Sequence, residues 1–430
     1  MSKLDINVHY LTRVEGHGNL HARVRDGRLE ECRWEVPEAP RFFEFMVLGR
    51  PYYDAPFVTS RICGICSIGH TLAAIQAVEN AIGFTPSEQT MLLRKLLLHG
   101  ETVQSHILHA YYLVAPDLVG APSVVPLATS HRDVVLRAVR LHRLANEWCD
   151  LIGGRTTHPI RAVVGGWTKV PTAGELQDLK ARIGQALGDV QATVELFCSL
   201  SVPRFQRETE YLALKKPDEY AWYGGDIAST DGDVTPLAAY RNKVIEFVVP
   251  HSTAKRARAN RSSYAVGALA RVNVNYAQLS PLAAQAARAL GITPVTCNPY
   301  LNTAAQVVEV AQAMEDSLRL IDQLLERGLH EEGYAVAVRP GTGVGGVEVP
   351  RGTLYHEYTI DGDGKITAAN FVIPTNQNHQ NIEEDLQALV PTLVGKSKPE
   401  ITLAMEMLVR AYDPCISCST HLLEVEFVEA

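Results

Sequence analysis

The chain has 430 residues, of which 46% are hydrophobic and 20% charged, and its formal net charge is −8. This composition is typical of a soluble globular protein with one large or two ordinary domains, and the acidic balance disfavours nucleic acid as a partner. No apolar run reaches the roughly 20 residues of a membrane-spanning helix, and the N-terminus lacks the apolar core of a secretion signal, so a cytoplasmic location is expected. A local basic cluster is interpreted as a solvated helix face: Lys255, Arg256, Arg258 and Arg261.

The N-terminal part predicts β structure followed by a change to helix. Two strand-like runs at 20–24 and 29–36 flank an Asp-Gly pair, which is typical of a tight hairpin turn. A helix is then predicted at 71–82, and Gly83 is placed to end it.

Long helices are predicted for the middle of the chain. A capping box at 85–88, with proline at the first helical position, predicts the start of a helix that continues through Gly100. Further helices are predicted at 134–150, at 173–199 behind a second capping box, and at 304–327. The last helix carries an apolar stripe that is predicted to be bundle core: Val307, Val310, Met314, Leu318, Ile321 and Leu325.

Near the C-terminus β character returns. Strands at 353–360 and 366–373 flank a turn at 361–364, and the last helical stretch is 379–412. The predicted fold is therefore α+β, predominantly α, with a central long-helix bundle and small β-rich portions from both ends of the chain. It is predicted to be one catalytic domain, 1–430, with a β-rich part at 1–60, the helical bundle at 61–330, and a hairpin region with a metal-binding segment at 331–430.

Two Cys-x-x-Cys pairs carry the chemistry of this sequence. Cys63 and Cys66 precede a predicted helix, Cys415 and Cys418 lie almost at the C-terminus, and the four thiols can form one metal site. The dipole of the helix that follows the first pair, together with Arg61, would favour thiolates. The other four cysteines are isolated and are interpreted as buried thiols: Cys32, Cys149, Cys198 and Cys297.

Coordination chemistry alone leaves the metal open. Four soft sulfur ligands suggest structural zinc first and an iron–sulfur cluster second. Against zinc, such sites usually lie in small domains with their cysteine pairs tens of residues apart, whereas 349 residues separate Cys66 from Cys415 here.

The residues around the two pairs carry a resemblance to a known family. Arg-x-Cys-Gly-x-Cys-x-x-x-His, at 61–70, and Asp-Pro-Cys-x-x-Cys-x-x-His, at 413–421, resemble motifs of the large, catalytic subunit of nickel–iron hydrogenases. Four further segments agree with that family in order and across nearly the whole length: 12–17, 39–44, 350–352 and 373–375.

The resemblance implies a nickel ion held by all four thiolates. Cys66 and Cys418 would also bridge to an iron that carries carbonyl and cyanide ligands, while Cys63 and Cys415 would be terminal on nickel. Hydrogen would be cleaved heterolytically, with Cys415 as the base that takes the proton and Glu15 as the group that relays it outward.

Further site residues are implied by the same motifs. Arg351 would lie over the metals with Asp413 as its orienting partner, and Pro374 and Thr375 would cradle the cyanides of the iron.

Three more residues and a C-terminal tail follow from the resemblance. Glu44 and His421 would ligate a magnesium-type ion, and His70 would lie near a bridging sulfur, although a lone histidine is more often structural. The family commonly loses an extension after the final histidine, so the tail at 422–430 is either cleaved on maturation or retained.

One glycine-rich motif is rejected as a nucleotide site. Residues 341–346 match Gly-x-Gly-x-x-Gly, but a Val-Glu-Val-Pro segment follows them instead of a helix N-terminus. The glycines are expected to allow a backbone turn that delivers Arg351 to the site.

Partners are implied because no further cysteines are spaced for iron–sulfur clusters. The resemblance implies a small iron–sulfur subunit packed on the helical face, and further subunits that use nicotinamide, flavin or ferredoxin, as in the soluble cytoplasmic multisubunit hydrogenases. Three alternatives stay open at this point: a hydrogen sensor on the same site, a zinc-stapled scaffold, and a relative of the quinone-site subunit of respiratory complex I, which lacks these cysteine pairs.

Overall fold

The computed structural model describes residues 3–420, and helices dominate it. In chain order they are α1 (Phe43–Val47), α2 (Ala55–Thr59), α3 (Ser67–Ile82), α4 (Glu88–Ile107), α5 (Ala115–Leu118), α6 (Val124–Ser130), α7 (Arg132–Gly153), α8 (Ala173–Ser199), α9 (Ala268–Asn275), α10 (Pro281–Ala289), α11 (Asn302–Arg327), α12 (Pro374–Thr392) and α13 (Lys398–Ala411). The predicted α+β, predominantly α class is confirmed.

Strands form small sheets around the helices. They are β1 (Lys3–Val8), β2 (Asn19–Arg25), β3 (Arg28–Glu35), β4 (Ala162–Val163), β5 (Gly166–Trp167), β6 (Glu210–Lys215), β7 (Asp226–Ser229), β8 (Val234–Thr235), β9 (Ile245–Phe247), β10 (Arg256–Arg258), β11 (Tyr264–Ala265), β12 (Gly341–Val349), β13 (Gly352–Ile360) and β14 (Ile366–Val372). Two antiparallel three-stranded sheets, β1-β2-β3 and β12-β13-β14, come from the two ends of the chain.

Both predicted hairpins are confirmed. Asp26 and Gly27 adopt positive φ angles of 48° and 76° between β2 and β3, as the tight turn requires. The second hairpin joins β13 to β14. The helical stretch predicted at 379–412 consists instead of two helices, α12 and α13, because the chain turns between them.

Helix caps agree with the sequence in one case and differ in another. The capping box of α8 is present, with Thr172 and Glu175 exchanging hydrogen bonds. The box predicted at 85–88 is wrong, because Ser87 caps α4 by accepting a hydrogen bond from the Thr90 N–H at 3.1 Å. The Ser87 hydroxyl also donates to Glu332, so a contact with a distant segment holds this residue at the cap.

The centre of the molecule is a bundle in which α4 packs against α7 and α11, and α11 also packs against α8. The predicted apolar stripe of α11 lies in this core, and two of its members, Leu318 and Leu325, are only partly buried. No helix between residues 3 and 420 combines the length and the apolar character that crossing a bilayer requires.

The glycine-rich segment is a strand, so the turn predicted at 341–346 is wrong. β12 lies against α3 so closely that a Cβ atom at Gly343 would come within 2.1 Å of the Ala81 nitrogen. The glycines therefore permit strand and helix backbones to touch, and the turn that presents Arg351 comes after the strand, between β12 and β13.

Two further expectations are corrected. Arg256 is not on a solvated helix face: it lies in β10, fully buried, and its guanidinium binds both carboxylate oxygens of Glu383 at 2.8 and 2.9 Å. Cys198 is exposed at the end of α8 and Cys297 is half-buried, whereas Cys32 and Cys149 are buried as expected. His421 and the tail at 422–430 lie outside the described residues.

Candidate metal centre

Four cysteine sulfurs from the two ends of the chain meet in one place. The Sγ atoms of Cys63, Cys66, Cys415 and Cys418 all lie within 4.8 Å of one another, and each residue is at most 6% exposed. The Cys63 and Cys415 sulfurs are 3.4 Å apart, and those of Cys66 and Cys418 are 3.9 Å apart. The fold therefore joins the two pairs into one buried cluster.

The first pair lies at the entrance to α3. Cys66 is the residue that precedes the first turn of this helix, and the Cys63 sulfur accepts hydrogen bonds from the N–H groups of Ile65 and Cys66, both at 3.3 Å. In the first turn of α3, the N–H groups of Ile68 and Gly69 donate to the buried carboxyl of Glu101 on α4. These bonds hold the cysteine loop at a fixed position relative to the bundle.

The second pair lies in a turn after α13 and is bound to the N-terminal part of the chain. Glu15 pairs with Cys415 in parallel: the Ile416 N–H donates to the Glu15 carbonyl at 3.0 Å. The Glu15 carboxylate accepts hydrogen bonds from the Cys415 thiol and from the Ser417 N–H, both at 3.1 Å. The Thr375 hydroxyl oxygen, at the start of α12 after Pro374, accepts the Cys415 N–H at 3.1 Å.

The pKa values of the cluster thiols are shifted in opposite directions. Hydrogen bonds from the neighbouring thiols, with Cys415 first, hold the pKa of Cys63 well below its ordinary value, and the Arg351 charge acts in the same direction. Burial raises the pKa of Cys415 and of Cys418. The sequence suggested Arg61 as the cation that favours thiolate; Arg61 is exposed, and the charge that acts on Cys63 from within the protein is that of Arg351.

Arg351 is buried and held by two side chains from other elements. Its guanidinium donates to Asp413 at 2.8 Å and to the Ser105 hydroxyl at 3.3 Å, and Gln306 donates to the other Asp413 oxygen at 3.1 Å. Burial opposes the charge of Arg351, but the Asp413 carboxylate and the neighbouring cysteine sulfurs together outweigh burial and raise the pKa of Arg351. The predicted pairing of Arg351 with Asp413 therefore exists in the structure.

Glu44 and His70 are both buried. Glu44 lies in α1, where one carboxylate oxygen accepts the Phe371 N–H at 2.6 Å. The His70 Nδ1 lies 3.1 Å from the His356 Nε2, across the interface between α3 and β13. The roles assigned to these two residues from sequence stay predictions.

Sequence reasoning missed a set of polar residues inside the helical core: Glu101 and Ser105 on α4, Gln306 on α11, and His379 on α12. Each is at most 1% exposed. A buried polar side chain must find a partner, so polar residues on the core-facing side of a predicted helix were a usable signal. Burial raises the pKa of Glu101 to about 8.

The donor set fits a soft or borderline metal ion. Four thiolates suit nickel, zinc or iron and are poor ligands for magnesium or calcium. Within residues 3–420 no second group of three or more histidine, cysteine or acidic side chains converges in this way.

Comparisons with known proteins show the family of this chain. The model of the nickel-dependent hydrogenase family matches residues 41–133 and 207–421. Sulfhydrogenase 1 subunit alpha of Pyrococcus furiosus is 33% identical over 424 residues, which cover 98% of this chain and 99% of that protein. NAD-reducing hydrogenase HoxS subunit beta of Cupriavidus necator is 28% identical, over 96% of this chain and 94% of that protein.

A solved structure agrees with these relatives. The structure of an NAD⁺-reducing [NiFe]-hydrogenase in the H2-reduced state superimposes with a TM-score of 0.86 and 28% identity, covering 97% of this chain and 99% of that one. The chain therefore belongs to the nickel-dependent hydrogenase family, as a catalytic large subunit of the nickel–iron type.

Proposed function

We propose that this chain catalyses the reversible cleavage of H2 into two protons and two electrons at a nickel–iron centre held by its four converging cysteines. The observation that carries the proposal is the contact between the Cys415 thiol and the Glu15 carboxylate, 3.1 Å apart, inside the four-sulfur cluster. A structural zinc site needs no proton acceptor on one of its ligands, whereas a site that releases protons does.

The cysteines would hold the metals in two roles. Cys63 and Cys415 would be terminal ligands of nickel, and Cys66 and Cys418 would also bind an iron that carries carbonyl and cyanide. When bound, such a centre supplies a Lewis acid that polarises H2 and a store for its electrons.

The protein's own residues would move the proton. The Cys415 thiolate would take it first, and Glu15 would receive it because its carboxylate is in hydrogen-bond contact and is half-buried. The Ser417 N–H holds the same Glu15 oxygen in place. The Ser417 side chain is itself held by the half-buried Glu38, to which its hydroxyl donates at 3.2 Å.

Arg351 would supply a fixed positive charge beside the cysteines. Its contact with Asp413 removes its freedom to swing, so the charge would be ready before the reaction and need no reorganisation. Pro374 and Thr375 start α12 close to Cys415, and we assign to them the cradle for the cyanide ligands.

Two further assignments complete the proposed site. The buried carboxylate of Glu44 would bind a magnesium-type ion together with His421. His70, at the buried start of α3, would lie near a bridging sulfur, that of Cys66 or Cys418, and act on it through hydrogen bonding.

Electrons would leave through a partner. The described residues contain no second cysteine cluster, so a small iron–sulfur subunit would accept the electrons one at a time. The relatives are named as alpha or beta subunits, and one is called NAD-reducing, which supports further electron-carrier subunits linked to nicotinamide, flavin or ferredoxin. We propose a cytoplasmic complex.

The test is Glu15→Gln, which keeps the size and a hydrogen-bond acceptor but cannot carry a proton. Loss of a general acid–base group should lower hydrogen–deuterium exchange by about 10²- to 10⁴-fold. Nickel and iron content should stay at the wild-type level. Glu326→Gln, on an exposed face of α11, is the matched control and should exchange normally. Full exchange activity in Glu15→Gln would remove Glu15 from the mechanism.

Metal analysis tests the centre itself. The complex purified with its native partners should contain nickel and iron in stoichiometric amounts, and Cys418→Ser should lose both. Zinc without nickel in the wild type would overturn the proposal in favour of a structural site.

A further inference from the structure

The turn that carries the second cysteine pair has little secondary structure of its own. Between the end of α13 and residue 420 there is a single helical turn, Ser417–Ser419, and yet Cys418 is 1% exposed and its sulfur meets that of Cys66. A short irregular segment of this kind keeps one geometry only when side chains from elsewhere hold it. Those side chains are therefore part of how the metal centre is built.

A chain of three buried side chains also reaches this turn, through contacts that do not include Glu15. The Trp34 indole N–H donates to the His379 Nδ1 at 2.8 Å, and the His379 Nε2 lies 2.9 Å from the Ser419 hydroxyl. That hydroxyl lies 2.6 Å from the Ile416 carbonyl, which also accepts the Ser419 N–H at 2.9 Å. Ser419 thus closes the turn around Cys418.

The donors and acceptors in this chain have only one consistent order. An indole N–H can only donate, so the His379 Nδ1 must accept, and a neutral ring then carries its proton on Nε2. Nε2 therefore donates to the Ser419 oxygen, and the Ser419 hydroxyl donates to the Ile416 carbonyl. Burial lowers the pKa of His379 to about 3, so the ring is neutral at physiological pH.

Trp34 is itself immobilised. Its ring is fully buried, and a Cβ atom at Gly18 would come within 2.1 Å of it, so the glycine provides the space that the indole fills. The Trp34 backbone N–H donates to the Glu383 carboxylate at 2.9 Å, and the Trp34 carbonyl accepts a hydrogen bond from the Arg256 guanidinium at 3.0 Å. The buried Arg256–Glu383 pair therefore anchors the first member of the chain.

We propose that His379, oriented by Trp34, is a positioning residue that holds the Cys418 turn in its metal-binding geometry through Ser419. It touches neither the sulfurs nor a substrate, and it would act by limiting the positions that the Cys418 sulfur can occupy. The inference rests on the proposed nickel centre. Its consequence is that nickel retention depends on a neutral hydrogen-bond chain that starts 345 residues away from His379 in sequence.

The experiment measures how long the purified complex retains nickel in the presence of EDTA, together with its thermal unfolding midpoint. Loss of a partner that orients a metal ligand typically weakens metal binding by about 10- to 100-fold, so His379→Leu should release nickel at least about tenfold faster. His379→Gln offers both a donor and an acceptor and should restore retention to within about twofold. Trp34→Phe keeps a ring but removes the hydrogen-bond donor, and its rate of nickel release should lie between the rates of His379→Leu and His379→Gln.

His99→Leu is the matched control. His99 is also a fully buried histidine bound to a serine, Ser317, at 2.9 Å. Its other neighbours are Asp316 and Trp222, so its contacts lie neither with a cysteine of the cluster nor with the turn around Cys418. His99→Leu should lower the unfolding midpoint and leave nickel retention unchanged.

The outcomes separate the two proposals. Wild-type retention in both His379→Leu and Trp34→Phe would overturn the inference, and so would equal nickel loss in His99→Leu. If His379→Leu does not fold, Trp34→Phe and His379→Gln decide the question. Absence of nickel from the wild-type complex would refute the proposed centre instead, so the two failures are distinguishable.

Discussion

Gly343→Ala tests whether the contact between β12 and α3 sets the geometry of the metal centre. A Cβ atom at this position would lie 2.1 Å from the Ala81 nitrogen and 2.3 Å from the Ala77 carbonyl oxygen. Ordinary van der Waals contact begins at 3.4 Å, so the two backbones must separate by 3.4 − 2.1 = 1.3 Å at the closest point. Neither neighbour can rotate away, because both are main-chain atoms of a helix.

This contact lies in the last turns of α3 and near the start of β12, and both elements lead from it to the metal centre. α3 begins directly after Cys66, and β12 leads into the turn that presents Arg351. Overpacking of this kind costs about 1–3 kcal/mol of folding free energy. A misplacement of about 1 Å can lower a catalysed rate by about 10²-fold. We therefore expect a lower unfolding midpoint and a loss of exchange activity that exceeds the loss of nickel.

The assay combines thermal unfolding, nickel content and hydrogen–deuterium exchange on the purified complex. Gly362→Ala is the matched control, since Gly362 lies in the exposed turn between β13 and β14, has no positive φ, and has no atom within 4 Å of the position that a Cβ atom would take. It should match the wild type in all three measurements. Wild-type stability and activity in Gly343→Ala would show that the close contact is not needed.

Two further predictions concern stability. Gly188→Ala should raise the free energy of unfolding by about 0.5–1 kcal/mol, because Gly188 is an exposed interior position of α8 with open space around it; an unchanged or lower unfolding midpoint would contradict this. Burial lowers the pKa of His99 from 6.5 to about 4, so the unfolded chain binds a proton that the folded chain does not. The resulting contribution of neutral His99 to the free energy of unfolding is present above pH 6.5 and is lost as the pH falls toward 4. Denaturant unfolding of His99→Gln should therefore depend less steeply on pH in that window, by up to about 1.4 kcal/mol per pH unit, and parallel curves for variant and wild type would refute it.

Several parts of this protein are readable from short stretches of sequence. The hairpin at Asp26 and Gly27, the capping box at Thr172 and the apolar stripe of α11 depend on hydrogen bonds and spacings within a few residues. Local geometry is enough to specify them. The cysteine pairs were also visible, because two Cys-x-x-Cys pairs are a spacing typical of metal sites.

Other features were misjudged because distant segments decide them. The choice of Ser87 over the residues before it as the cap of α4 involves Glu332, and the buried state of Arg256 depends on Glu383. The strand at 341–346 packs on α3, and nothing in its glycine pattern distinguishes a close backbone contact from a turn.

The long helices, both hairpins and the four candidate sulfur ligands thus follow from the order of amino acids alone. Three features of the site depend instead on how the folded chain packs: the carboxylate that meets Cys415, the side chains that hold Arg351, and the approach of His379 to the turn around Cys418. A buried polar group must be satisfied by whatever group packing brings to it. Because packing joins residues hundreds of positions apart, no local pattern encodes these pairings.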